Sequence, residues 1–177
     1  MSHLPFYFCV FFRMQVIDSF LPARFTDVLD PFSGYEHWNG DEITNIKHEI
    51  IDYCREYFNW KNVETYEYWF NTNSPDQSYN YWHQDKIELR DYKLLANWSC
   101  ILYPNSHSLW GGFLEIETAD ETRTEVERIA PRFNRCVLLD TGVFHRVSRV
   151  WEGDRHSFVI NGFDEPDVSS ARAEYDR

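Results

Sequence analysis

Apolar positions early in the chain recur at three- and four-residue steps, and later ones fall in short, strand-like runs. Between Asp41 and Phe58, residues Ile43, Ile46, Ile50, Ile51, Cys54 and Phe58 form one stripe, which predicts an amphipathic helix over 41–58. A shorter helix is expected over 22–30 (PARFTDVLD), with proline at its permissive first position. Gly34, Asn39 and Gly40 punctuate the loop between them. From Val63 onward, aromatic and β-branched runs are broken by turn residues such as Asn73-Ser74-Pro75-Asp76, Pro104-Asn105-Ser106 and Glu152-Gly153-Asp154. The runs predict eight strands, near 63–71, 79–84, 94–103, 112–118, 123–130, 135–140, 144–151 and 155–163. Helices followed by strands imply an α+β, mainly β domain: a sandwich or jelly roll with the N-terminal helices packed on its outside.

Length and composition narrow this picture. A chain of 177 residues supports one buried core, so a single domain over 1–177 is expected, with its β core at 63–163 and a polar tail at 166–177. Aromatics at 18% suit a β-rich interior. The net charge of −12, from 17 basic against 29 acidic residues, argues against a nucleic-acid partner, whose phosphates are neutralised by Lys and Arg. Cys9, Cys54, Cys100 and Cys136 are scattered, with neither metal-site nor disulfide-framework spacing, and read as reduced thiols of a cytoplasmic protein. The apolar run 4–12 (LPFYFCVFF) is too short to span a bilayer and lacks signal-peptide flanks. It is read as an extra β-strand within an N-terminal extension, 1–13, and no membrane partner is expected. Nothing in the sequence specifies an oligomeric state.

Three positions carry candidate chemistry. In His83-Gln84-Asp85, residues two apart on a strand share a face, so an imidazole and a carboxylate converge. His145, far along the chain, opens another strand-like run after the Asp140-Thr141-Gly142 turn. Two imidazoles and one carboxylate form the facial triad that holds a divalent first-row metal and leaves three positions open. Arg155 and Ser157 share a strand face opposite His156, Phe158 and Ile160. A buried guanidinium there suits a carboxylate ligand bound through two hydrogen bonds; pairing with Glu152 or Asp154 in a solvated turn is the plainer alternative. The remaining histidines do not join this set: His48 is placed at the helix edge, His37 and His107 in loops. Trp82, Trp98 and Trp110 either line a groove or pack in the core.

The series His83-x-Asp85, His145, Arg155-x-Ser157 resembles the signature of the iron(II)/2-oxoglutarate-dependent dioxygenases. Trp110-Gly111-Gly112-Phe113-Leu114, Ile101-Leu102-Tyr103-Pro104-Asn105 and Val16-Ile17-Asp18-Ser19-Phe20-Leu21-Pro22 resemble segments of the prolyl-4-hydroxylase-like branch. That branch often carries Lys where Arg155 stands. The resemblance implies a double-stranded β-helix, Fe(II) held by His83, Asp85 and His145, and 2-oxoglutarate as co-substrate with O2. It assigns the far carboxylate of that co-substrate to Arg155, Ser157 and Tyr103. The implied reaction hydroxylates a C–H bond and releases succinate and CO2, on a prolyl or other residue of a peptide or protein. A free amino acid or small metabolite is the alternative substrate. An alkylated-nucleic-acid demethylase would carry a second Arg six residues after Arg155, where Asn161 stands. A non-catalytic metal-binding jelly-roll module is the remaining reading, and it gives no reason to keep all four residues.

Overall fold

The computed structural model describes residues 14–29, 35–76, 81–88, 93–119 and 124–164. The expected strand at 4–12, the tail 166–177 and the start of the 79–84 strand lie outside them. The described elements are β1 (Met14–Asp18), β2 (Glu36–Trp38), α1 (Ile46–Phe58), β3 (Thr65–Asn73), β4 (Lys86–Glu88), β5 (Lys93–Leu95), β6 (Trp98–Leu102), β7 (Trp110–Gly111), β8 (Leu114–Ala119), β9 (Thr124–Ile129), β10 (Arg135–Asp140), β11 (His145–Val147), β12 (Val150–Glu152) and β13 (Arg155–Phe163).

One antiparallel sheet has six strands in the order β1-β10-β6-β13-β3-β2, and a second has the order β11-β8-β9. Alternation along the long strands divides the first sheet into two apolar faces. Tyr66, Tyr68, Cys100, Leu102, Phe158 and Ile160 pack with Ile50, Ile51 and Cys54 of α1, so the helix covers the outer face. Ile101, Val137, Leu139 and Val159 point the other way and meet Leu114, Ile116 and Ile129 of the second sheet. The result is a mainly β jelly roll with one α-helix on the outside of its larger sheet.

Helix α1 is shorter than the apolar stripe. Asn45 caps it, its side-chain oxygen accepting the amides of Lys47 and His48 at 2.9 and 3.0 Å, and Asn59 ends it in the left-handed region at φ 55°. Burial of Ile50 and Ile51, both fully inaccessible, contributes about 1.5–3 kcal/mol per side chain. His48 does not sit at the helix edge. It is buried, its Nε2 3.0 Å from the Tyr68 hydroxyl and its ring stacked on Trp38. The expected helix at 22–30 reduces to one 3-10 turn, Ala23–Phe25. Asp27, at φ 55°, redirects the chain, and its carboxylate accepts the amide and hydroxyl of Ser106. A polar side chain engaged with the neighbouring loop has won over helix continuation.

Candidate metal centre

The H-x-D segment reaches the second sheet through an isolated antiparallel bridge, His83 opposite His145. Ligand-capable atoms of His83, Asp85 and His145 all lie within 4.8 Å of one another. His83 Nε2 is 3.9 Å from Asp85 Oδ1, and His145 Nε2 is 3.6 Å from Asp85 Oδ2. Each imidazole uses its other nitrogen on the backbone: His83 Nδ1 meets the Tyr81 carbonyl at 2.8 Å, and His145 Nδ1 meets that of Val143 at 3.0 Å. A carbonyl accepts only, so Nδ1 carries the proton and each Nε2 lone pair turns toward Asp85. Burial holds the His145 imidazole below the usual histidine range, opposed by the Asp85 carboxylate.

Asp85 Oδ2 is buried without a hydrogen-bond partner. An orphaned carboxylate oxygen is costly unless something positive meets it. Two unprotonated imidazole nitrogens and this oxygen therefore fit a divalent first-row cation.

Arg155 faces the same cavity, which is also lined by Trp69, Asn71, Ile101, Leu114 and Ser157. The Arg155 side chain is 1% exposed, which rules out the solvated turn pairing with Glu152 or Asp154. Its hydrogen-bond partners are neutral: Ser157 Oγ at 2.9 Å, Asn73 Oδ1 at 3.1 Å and the Tyr103 hydroxyl at 2.7 Å. Arg155 Nε is buried and has no partner. A guanidinium so enclosed, with no carboxylate bonded to it among the described residues, is incomplete without an anion. Gly112, at φ +66°, packs against the arginine stem; an added Cβ would come within 3.1 Å of Arg155 Cδ.

All six residues singled out in the sequence thus line or adjoin one cavity. Asn71, Asn73 and Trp69 join them without having been foreseen. They lie on the inward face of β3, registered with β13: Arg155 opposite Asn73, Ser157 opposite Asn71, Val159 opposite Trp69. Only that register, which is a tertiary fact, marks them. Of the tryptophans proposed for a groove, Trp98 is core, stacked on Trp60; Trp82 lies beneath Arg146; Trp110 is exposed beside Trp151.

Comparison with known proteins bears on this site. The model of the 2OG-Fe(II) oxygenase superfamily matches residues 68–163, a span that holds all six candidate residues. A prolyl-4-hydroxylase from Pseudomonas putida is structurally similar, with a TM-score of 0.60 at 19% identity, over 84% of this chain and 91% of that one. A prolyl hydroxylase from Trichoplax adhaerens, in complex with a hypoxia inducible factor oxygen degradation domain peptide fragment, matches with a TM-score of 0.51 at 18% identity, over 91% of this chain and 86% of that one. Among curated protein sequences, none matches.

Proposed function

The chain belongs to the 2OG-Fe(II) oxygenase superfamily, and from that premise we propose that it hydroxylates a C–H bond in a prolyl or other residue of a peptide or protein. In this reading one domain spans the chain, with 63–163 as its β-helix core. His83, Asp85 and His145 hold Fe(II), and Arg155, Ser157 and Tyr103 receive the far carboxylate of 2-oxoglutarate. The observation that carries the reading is the shared cavity: three convergent ligand atoms near one wall, a buried cation without a counter-ion at another. The likeness to prolyl hydroxylases supports a peptidyl substrate.

The iron and its co-substrate, when bound, supply the oxidation: one oxygen atom of O2 goes to succinate as 2-oxoglutarate loses CO2, and the other becomes the substrate hydroxyl. The protein's own residues do the rest. The Tyr81 and Val143 carbonyls hold the two imidazoles in the tautomer that presents Nε2. The Arg155 fork sets the distance and direction of the co-substrate from the ligand triad, and the Tyr103 and Ser157 oxygens fix the fork. Trp69, Ile101, Leu114 and Val159 wall the space between them and exclude water.

Cys54, Cys100 and Cys136 are free and buried, which supports a reducing, cytoplasmic location. Among the described residues, no helix is long and apolar enough to cross a membrane.

Anaerobic titration of the metal-free protein with Fe(II) and then 2-oxoglutarate tests the proposal. The expected result is a weak visible charge-transfer band from the oxo-acid chelated to iron, lost in His145→Ala. A folded, iron-loaded wild type without the band overturns it and promotes the metal-binding module.

A further inference from the structure

Residues 81–85, which carry two of the three candidate ligands, belong to none of the named strands, and His83 meets the second sheet through one isolated bridge to His145. His83 and Asp85 turn inward to the cavity, so Trp82 and Gln84 turn outward. Gln84 is fastened to the Gly142 carbonyl. Trp82 has a different partner. In an antiparallel pair the residues flanking a bridge also face each other, which sets Trp82 beside Arg146. The Arg146 guanidinium lies over the Trp82 ring, 4.6 Å from its centroid.

The same outer face continues across the second sheet. Arg146 is opposite Glu115 in β8, and Glu115 is opposite Arg128 in β9. One Glu115 oxygen accepts from Arg146 Nε at 2.7 Å and the other from Arg128 Nε at 2.8 Å. Trp82, Arg146, Glu115 and Arg128 therefore form one row, a single residue along from the inward row of His83, His145 and Ile116.

Burial along this row is uneven. The Glu115 side chain is 2% exposed, against 34% for Arg146 and 68% for Arg128. An ion pair on an open sheet surface contributes little, because water screens it and two long side chains must be held still. A carboxylate enclosed between two guanidinium groups is a different case. Its removal from water is costly, and both charge-assisted hydrogen bonds are needed to offset that cost. It therefore holds its partners in place. With Nε committed to Glu115, Arg146 keeps the flat face of its guanidinium for the Trp82 ring.

We propose that Glu115 is a positioning residue of the metal centre: it holds Arg146, Arg146 covers Trp82, and this stack keeps the His83–Asp85 segment at its bridge to His145. The inference rests on the reading of His83, Asp85 and His145 as metal ligands and adds to it three residues that do not line the cavity. The bridge fixes the register, Gln84 ties the segment to the turn before His145, and the stack secures it from the outer face, where the chain enters.

The test uses the full chain and two readouts that need no turnover. Co(II) affinity is measured by competition with a chromogenic chelator, the visible Co(II) bands reporting ligand geometry. Amide hydrogen exchange is followed by NMR on the metal-free chain. Trp82→Leu and Arg146→Leu should weaken Co(II) binding by about 10–100-fold, the range for outer-sphere partners. Glu115→Gln, which loses the charge but keeps one acceptor, should weaken it less. In all three the His83 and His145 amides should exchange about tenfold faster while those of β13 keep their protection, the mark of local opening. Trp82→Phe, which retains a ring face for the guanidinium, should restore most of both. Because Glu115 acts through Trp82, the double variant Glu115→Gln/Trp82→Leu should bind Co(II) no more weakly than Trp82→Leu alone. Ile50→Val, under α1 on the other sheet, should lower stability without changing Co(II) affinity.

Unchanged affinity and exchange in Trp82→Leu overturn the proposal, and this variant at a partly buried site decides the matter even if Arg146→Leu fails to fold. Exchange that accelerates equally in β13 overturns it too, since that marks a general loss of stability. So does an additive loss in the double variant. A wild type that binds no Co(II) would instead remove the metal-centre reading, and the His83 amide would still report whether the row holds the segment.

Discussion

His83 and His145 are directly opposed across an antiparallel bridge, each amide donating to the other's carbonyl, at 3.0 and 2.9 Å. The imidazole ring centroids are 4.4 Å apart. One backbone contact therefore sets the spacing of two candidate ligands more than sixty residues apart in sequence, and Asp85 follows on the same face as His83. The environments of the two rings differ. The His83 side chain is 41% exposed and that of His145 6%. Removal of either imidazole should reduce Fe(II) affinity beyond the roughly 10–100-fold seen for outer-sphere partners. His83→Ala should melt close to wild type when metal-free, whereas His145→Ala should lose about 1–3 kcal/mol for its vacated, buried site. Metal titration beside urea denaturation checks both; undiminished affinity in either variant removes that residue from the site.

Gln84 lies between the two ligands of the H-x-D segment and faces the other way. Its Nε2 donates to the Gly142 carbonyl at 2.6 Å, on the turn that leads into His145. It is a positioning residue, acting through the geometry of the segments it joins. Gln84→Ala should weaken metal affinity by about 10–100-fold with little loss of stability. Gln84→Glu should not restore it, because a carboxylate cannot donate to a carbonyl. Full affinity in Gln84→Ala would show that the His83–His145 bridge suffices alone.

The sequence shows some of these features and hides others for identifiable reasons. The α1 stripe is visible because one face of the helix is buried, and the strands at 135–140 and 155–163 because both of their faces are, which leaves short apolar runs. Strand β2 has three residues at a sheet edge and leaves no period to read. The run 144–151 divides because Ser148 turns to Phe113, its amide donating to the Phe113 carbonyl and its hydroxyl accepting the Phe113 amide. The run 94–103 divides at Ala96-Asn97, whose amides serve Asp85 and Gly162. The triad and Arg155 are legible because ligand chemistry restricts the residue types at each position. Asn73 and Asn71 are ordinary residues made special by cross-strand register, which local sequence does not encode.

Three histidines couple folding to pH in one direction. Burial lowers His48, His145 and His156 below the ordinary value of 6.5. Each then binds a proton more readily in the unfolded chain. Their contribution to stability is complete above about pH 6.5 and is lost as the pH falls toward and through the folded-state values. Metal-free protein should therefore unfold at lower urea near pH 5.5 than near pH 7.5. His48→Gln, which keeps an amide donor near Tyr68, should flatten that difference without removing it. An unchanged slope would mean His48 is not among the groups responsible.

Arg155 offers a test of the co-substrate site that needs neither iron nor turnover. Its guanidinium is buried, and its bonded partners are an amide oxygen and two hydroxyls. In the absence of an anion it is a desolvated charge without compensation, and such charges often cost more than they contribute. Replacing it with methionine, of similar length and apolar, should therefore leave the ligand-free melting temperature unchanged or raised. Glutarate has the two carboxylates of 2-oxoglutarate but lacks the keto group that would chelate iron. At about 100 times its Kd, a ligand that binds only the folded state stabilises by about 2.7 kcal/mol. For a chain of this size that raises Tm by about 5–10 °C. Wild type should show the shift in metal-free buffer, and Arg155→Met should not. Arg155→Lys should retain part of it, since an ammonium supplies charge without the two-pronged fork. A glutarate shift of equal size in Arg155→Met would place the carboxylate elsewhere and leave the buried guanidinium unexplained. A wild type insensitive to glutarate but stabilised by 2-oxoglutarate once Zn(II) is added would shift the main share of binding to the metal end of the cavity.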